Sequence, residues 1–211
     1  MEIIKIENLN LVLNKQIILE NINVGFEEGY IYGIVGKNGS GKSMLFKSIC
    51  GLVYPTSGKI FVENKEIGKD IDFPENMGML IESPGLMPHY SAFKNLSILA
   101  GLNNRIGKQE INRVLKLVGL SADDRKPVKK YSLGMKQRLG IAMAIMEDPS
   151  ILILDEPMNS LDKEGIEDMR NLFREMRKRG KTILLTSHNF EDIIALCDKV
   201  YEMEHGRILK I

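Results

Sequence analysis

The sequence predicts an α/β fold built on a mainly parallel sheet, from three observations. The apolar run Ile31 to Val35 passes through glycines at 36, 39 and 41 into a helix-like stretch from Lys42 to about Cys50, a strand, loop and helix unit. Two later short apolar runs, Ile151-Leu152-Ile153-Leu154 and Thr182 to Leu185, end in Asp155-Glu156-Pro157 and Thr186-Ser187-His188. Between and after these runs lie helix-period patterns, and strands that alternate with helices pair in parallel and collect functional groups at their ends.

The elements follow in chain order. Ile3-Ile4-Ile6, Leu9-Leu11-Leu13 and Ile17-Ile18-Leu19 are short apolar groups that read as several strands before the one at Ile31. Helix-period patterns run from about Ala92 to Leu102, Gln109 to Val118, Leu133 to Met146 and Lys163 to Arg177, so the middle of the chain is mainly helical. The Pro-containing stretch Glu82 to Pro88 marks where that helical middle begins. Neither an internal repeat nor a heptad array interrupts the reading.

Composition removes several function classes. The chain has 211 residues, 44% apolar and 27% charged, enough to bury a core without disulfides or structural metals. Lys plus Arg number 29 and Asp plus Glu 28, so the net charge of +1 offers no global pull toward nucleic acid or acidic lipid, and phosphate binding has to be local. No uncharged run approaches the ~20 residues needed to cross a bilayer, so the chain cannot form a pore alone. Met1-Glu2-Ile3-Ile4-Lys5 does not read as a secretory signal, and Cys50 and Cys197 lack metal spacing and suit a reducing cytoplasm.

Gly36-Lys37-Asn38-Gly39-Ser40-Gly41-Lys42-Ser43 satisfies G-x-x-x-x-G-K-[ST] in the required setting between an apolar strand and a helix. Glycines let the backbone curl so that successive N–H groups converge on phosphate oxygens at the positive end of the following helix. Lys42 is expected to reach the β- and γ-phosphates of a nucleotide and the Ser43 hydroxyl to ligate Mg²⁺. A P-loop NTPase core follows. GTPases and small-molecule kinases share this loop, but no N-K-x-D guanine-reading sequence is present, since Asn14-Lys15 precedes Gln16-Ile17 and Asn64-Lys65 precedes Glu66-Ile67.

Asp155, at the end of the run 151–154, is placed to hold the Mg²⁺ shell opposite Ser43, and Glu156 to orient or deprotonate an attacking water. Ser132 stands just before the helical run 133–146, where its hydroxyl and the first N–H groups can cap the helix or meet a γ-phosphate. His188, after a strand, has the chemistry to hydrogen-bond a phosphate.

Together these segments resemble the nucleotide-binding subunit of ATP-binding cassette (ABC) transporters, over nearly the whole chain. Tyr131-Ser132-Leu133-Gly134-Met135-Lys136-Gln137-Arg138 is similar to the family signature L-S-G-G-Q-x-Q-R and lies 23 residues before Asp155 by its serine. Asn159-Ser160-Leu161-Asp162 resembles the D-loop, and His188 the switch histidine, 32 residues after Glu156. The resemblance implies ATP and Mg²⁺ as ligands, a head-to-tail pair of cassettes in which ATP on one phosphate loop meets Ser132 and Gly134 of the other, and Asp162 communicating across that interface. It also implies an N-terminal antiparallel β subdomain, a single cassette over 1–211 with a core of 1–81 and 148–211, and an inserted helical subdomain of 82–147. The partners implied are a separate transmembrane permease, which Pro84, Leu86, Met87 and Pro88 suit as an apolar contact, and a second cassette; the location implied is the cytoplasmic face of the cell membrane.

The chain departs from the family pattern at informative places. Glu82, in Leu80-Ile81-Glu82-Ser83-Pro84, stands where the Q-loop glutamine belongs; a carboxylate can replace the amide oxygen as a contact to Mg²⁺ or water but adds charge and donates nothing. Leu-Ile-Glu-Ser-Pro-Gly is similar to the peptide-antibiotic resistance and lantibiotic-immunity cassettes, which favours export of peptides or drugs. Tyr131, Leu133 and Met135 replace Leu, Gly and Gln of the signature, and Leu13 stands where many relatives set an aromatic ring against adenine. A soluble ATPase of translation or DNA maintenance is the alternative. Against it, the 89 residues from Ser43 to Ser132 leave no room for a long coiled coil, and the chain has one phosphate loop rather than two.

Overall fold

The computed structural model describes residues 1–210; Ile211, where the single expected domain ends, lies outside them. Strands β1 (Glu2–Leu13) and β2 (Gln16–Glu27) form a long hairpin, and β4 (Ser57–Val62) and β5 (Lys65–Glu66) extend it into a four-stranded antiparallel sheet ordered β2-β1-β4-β5. The two apolar groups Ile3–Ile6 and Leu9–Leu13 belong to one strand. The register shifts between Ile6 and Leu9, where Asn8 has φ 48°, and this irregularity resets which side chains face inward.

The second sheet has six strands, β3 (Ile31–Val35), β6 (Met77–Leu80), β7 (Ile151–Leu154), β8 (Thr182–Thr186), β9 (Lys199–Glu204) and β10 (Arg207–Lys210), in the order β10-β9-β3-β8-β7-β6. Every pairing but the edge pair of β9 with β10 is parallel. The central strands are buried on both faces, which is why they read as unbroken apolar runs. In β7, Ile151 and Ile153 pack with the antiparallel sheet and helix α1 (Lys42–Ile49), while Leu152 and Leu154 enter the core on the opposite face.

That opposite core holds α2 (Ala92–Asn103), α3 (Lys108–Leu117) and α4 (Leu133–Ile145), inserted between β6 and β7 with a 3₁₀ turn at Val128–Lys130, together with α5 (Lys163–Lys178) and α6 (Phe190–Leu196). Helix α5 shows the amphipathic logic plainly: Met169, Phe173 and Met176 are buried at helical spacing, and its exposed face is charged.

Asn95 on α2, 1% exposed, fixes the loop that leads into the helices. Its amide donates to the carbonyls of Met87 (3.2 Å) and Ser91 (2.9 Å), and its oxygen accepts from Met87 N at 2.8 Å. The same loop is tied on its other side by Val128 N to Tyr90 O (2.9 Å) and Lys129 N to Pro88 O (2.8 Å). Asn95→Leu therefore strands buried backbone groups and should cost ~1–3 kcal/mol, which in a chain of this size lowers Tm by roughly 2–4 °C per kcal/mol. Calorimetry checks the magnitude, and faster amide exchange confined to residues 87–91 checks the place.

Candidate active site

Parallel pairing decides which residues meet. Leu154 of β7 is opposite Leu80 of β6 and Leu185 of β8, and Ile34 of β3 is opposite Thr186, so the residues that follow these strands emerge along one sheet edge. The loop 36–43 leaves β3 there, Glu82 follows β6, Asp155 and Glu156 follow β7, and His188 follows β8.

The loop folds around its own lysine. Lys42, 8% exposed, donates from Nζ to the carbonyls of Gly36 (2.7 Å) and Lys37 (3.0 Å), which curls the chain into a ring with Lys37, Asn38 and Gly39 on its exposed rim. Gly36 has φ 146°, and a Cβ there would overlap the Met203 carbonyl, so position 36 requires glycine. Gly41, the residue before α1, has no side chain to cap the helix, which leaves its first N–H groups to face the loop. The Ser40 hydroxyl is buried and has no hydrogen-bond partner among the described residues.

Ser43 Oγ donates to Asp155 Oδ2 at 2.6 Å, and the Thr186 hydroxyl donates to Asp155 Oδ1 at 2.7 Å. Asp155 is thus held by both neighbours, with Thr186 fully buried behind it. These hard oxygen donors fit Mg²⁺, which takes one or two protein oxygens and completes its shell with phosphates and water. Among the described residues no group of three His, Cys, Asp or Glu side chains could hold a metal by itself.

Glu156 has φ 51°, an uncommon conformation for a side-chain-bearing residue that stores strain and that its neighbours enforce. Its N–H donates to Thr186 Oγ1 at 2.8 Å, and Gln137 Nε2 of α4 donates to the carbonyls of Glu156 (3.0 Å) and Pro157 (3.1 Å). The carboxylate accepts from the His188 backbone N–H at 3.1 Å, and its other oxygen lies 3.1 Å from His188 Nε2, an approach of groups rather than an aligned hydrogen bond. Burial pushes the Glu156 carboxyl above the ordinary glutamate value, against the opposing pull of the His188 N–H, His188 and Lys42. The preceding Ser187 is tied down by Asp192, 2% exposed, which accepts from Ser187 Oγ at 3.1 Å and pairs with Arg170 Nη2 at 2.6 Å.

Glu82, expected to contact Mg²⁺ or water, follows β6 and lines the same cleft as Asp155 and Glu156. Its carboxylate pairs with Lys47 Nζ at 2.5 Å rather than with the Ser43 and Asp155 oxygens, and its φ is 58°. Ser132 caps α4 by accepting from Met135 N at 3.2 Å, and Asp162 caps α5 by accepting from Gly165 N at 2.9 Å. A Cβ on Gly134 would come within 2.8 Å of the Ser160 carbonyl, so the signature glycine permits close approach to the loop 159–162. Among the described residues no hydrogen bond joins Ser132, Gly134 or Asp162 to the loop 36–43, so one copy of the chain does not bring the signature to its own phosphate loop.

A cleft of about 610 Å³ separates the strand ends from the helical block, lined among others by Glu82, Leu86, Leu133, Gln137, Asp155 and Glu156. Lys47, Thr186 and Gln137 are the site residues that motif reading left without a role. Gln137 lies inside the quoted signature, and Thr186 follows from pairing two apolar strands in register; Lys47 has no sequence signal beyond standing one helical turn after Ser43.

The fold and the loop define a P-loop nucleotide-binding protein of mixed α/β architecture. Residues 19–159 match the family described as ABC transporter, and the chain belongs to that family as an ATP-binding domain. It is 45% identical over 205 residues to an uncharacterized ABC transporter ATP-binding protein, YybJ, of Bacillus subtilis strain 168, covering 97% of this chain and 94% of that protein. It is 38% identical over 207 residues to the lantibiotic transport ATP-binding protein SrtF of Streptococcus pyogenes, covering 98% and 89%. Its fold superposes with TM-score 0.88 and 22% identity on the dimeric post-hydrolysis structure of the ATP-binding cassette MJ0796 bound to ADP and Pi, covering 98% of each chain.

Proposed function

We propose that this chain binds and hydrolyses ATP to drive an ABC membrane transporter that exports peptides or drugs. The observation that carries the catalytic reading is the junction of Ser43, Asp155, Thr186, Glu156 and His188 at one sheet edge. Lys42 exchanges its loop carbonyls for phosphate oxygens, the loop N–H groups and the start of α1 orient the phosphates, and Glu156 takes the proton of the attacking water. Ser43 and Asp155 would hold Mg²⁺, which would supply charge neutralisation at the phosphates. His188 contacts the γ-phosphate in this reading, which its position against Glu156 supports. The exposed hairpin tip with Leu13 and Ile17 offers aliphatic rather than aromatic surface to the base.

The partners are a separate permease and a second cassette. No helix of the described residues is long and apolar enough to cross a membrane, and the motor of an ABC transporter acts on one that does. The cleft edge at Pro84, Leu86 and Pro88 is read as the seat for a cytoplasmic segment of that permease, which places the chain on the inner face of the membrane. We read 1–81 and 148–211 as the core and 82–147 as the helical subdomain. Export of peptides rests on the likeness to SrtF, a lantibiotic transport protein by name, and on Leu80-Ile81-Glu82-Ser83-Pro84-Gly85.

Phosphate release by the purified chain, with Mg²⁺ and with EDTA, tests the catalytic part: Mg²⁺-dependent hydrolysis is expected, and none at any protein concentration contradicts it. Affinity capture from solubilised membranes tests the transport part. Recovery of an integral membrane protein supports it, whereas ribosomes or DNA without one would favour a soluble role.

A further inference from the structure

Outside the catalytic junction, the site contains one ion pair that its chemistry has not used. Lys47 and Ser43 lie four residues apart on α1, so they share a face of the helix about 6 Å apart along its axis. Lys47 Nζ holds Glu82 Oε1 at 2.5 Å, which places the Glu82 carboxylate one helical turn from the hydroxyl that meets Asp155. The backbone beneath Glu82 is anchored close to that aspartate, since Asp155 N donates to Leu80 O at 2.7 Å. The Glu82 side chain is 62% exposed and that of Lys47 24%, so the lysine is the better-packed member and the glutamate the free arm. An exposed pair of this kind is weak enough to exchange.

We infer that Lys47 is a positioning residue for Glu82, giving that carboxylate a resting berth one turn away from a second berth at the Mg²⁺ edge formed by Ser43 and Asp155. The inference rests on the proposed reading of Ser43 and Asp155 as the metal edge. A divalent ion attracts a carboxylate more strongly than one ammonium does at similar distance, so occupation of that edge draws Glu82 off Lys47. Exchange of berths shifts the segment that begins the helical block. A glutamine at 82 has no charge with which to prefer Lys47, so the pair gives the glutamate a reason to stand here.

The test is a four-way comparison of wild type, Lys47→Met, Glu82→Gln and the double variant. Mn²⁺ serves as the probe, titrated by electron paramagnetic resonance in the presence of a non-hydrolysable ATP analogue. Lys47→Met keeps the aliphatic stem and should tighten Mn²⁺ binding about three- to tenfold when Glu82 is present, by removing its competing partner. In the Glu82→Gln background the same substitution should change it by less than about twofold. Lys47→Arg, which keeps a berth, should behave as wild type. Equal tightening in both backgrounds would show a direct charge effect of Lys47 on the metal and overturn the two-berth inference, as would no tightening in either. The metal edge itself is checked separately by Asp155→Asn. If that variant binds Mn²⁺ as wild type does, the underlying site reading fails; if it loses Mn²⁺ while the cycle shows no coupling, only the role of Lys47 fails. Thermal melting of each variant identifies any that is misfolded.

Discussion

Glu156→Gln is expected to bind ATP as the wild type does and to lose steady-state hydrolysis by ~10²–10⁴-fold, the range that a positioned general base contributes. The amide preserves shape and keeps an oxygen for the His188 N–H, so the turn fixed by Thr186 and Gln137 survives while the proton acceptor does not. Two further readouts separate this role from a structural one. The base works only when ionised, so wild-type turnover should fall as pH drops through the Glu156 pKa, and burial places that acid limb above the ordinary value of 4.5. Residual activity of the glutamine variant should lack this limb. A raised folded-state pKa also means that the protonated form favours the fold and that this support fades as pH rises through it. At neutral pH the variant should therefore melt no lower than wild type. Wild-type hydrolysis in the variant would remove Glu156 from the mechanism.

Lys42→Ala should abolish productive ATP binding. Its ammonium is nearly buried at the centre of the loop and bonds two loop carbonyls, so the substitution removes both a phosphate donor and the tie that shapes the ring. Loss of a charge-assisted hydrogen bond of ~3 kcal/mol corresponds to about a hundred-fold in affinity, before any loosening of the loop. Titration calorimetry with ATP measures it, and affinity equal to wild type would contradict the assigned contact. Lys42→Arg should recover little, because a forked guanidinium cannot occupy the space enclosed by the Gly36 and Lys37 carbonyls.

Much of this architecture was legible because local chemistry and tertiary role coincide. The runs 151–154 and 182–185 are buried on both faces, so their apolar character marks them without help from the rest of the chain. Helices α3 and α5 carry a clear amphipathic periodicity, and α2, α3, α4 and α5 all begin within a residue of the expected starts. Less legible were β4, β9 and β10, which mix charged or polar residues with apolar ones and are held as strands by their neighbours in the sheet. Helix α6, with seven residues, is too short for a helical period to be distinguished.

The site divides in the same way. Loop 36–43, Asp155 and Glu156 announce themselves because phosphate and metal chemistry demand those residues at fixed spacing. The behaviour of Glu82 was not readable, since Lys47 lies 35 positions away and meets it only through the packing of α1 against the segment after β6. Thr186 and Gln137 are likewise defined by what lies across the sheet edge and the cleft. The left-handed backbone at Glu82, Glu156 and Ser160 has no sequence signature either; none of the three is glycine, and all lie in loops expected to contact nucleotide or a second subunit.

The head-to-tail composite site is the central claim, and within one copy no hydrogen bond among the described residues joins Ser132, Gly134 or Asp162 to the loop 36–43. Its most direct test is the ATPase rate of a mixed dimer, isolated by two different affinity tags, of one Lys42→Ala copy and one Ser132→Glu copy. Each variant alone has two defective sites and should be inactive. The mixed dimer joins the intact loop of one copy to the intact signature of the other, and should recover about half the wild-type rate per dimer if the two symmetric sites act independently. Any rate clearly above both parents supports the claim. A purified mixed dimer no more active than its parents would contradict it.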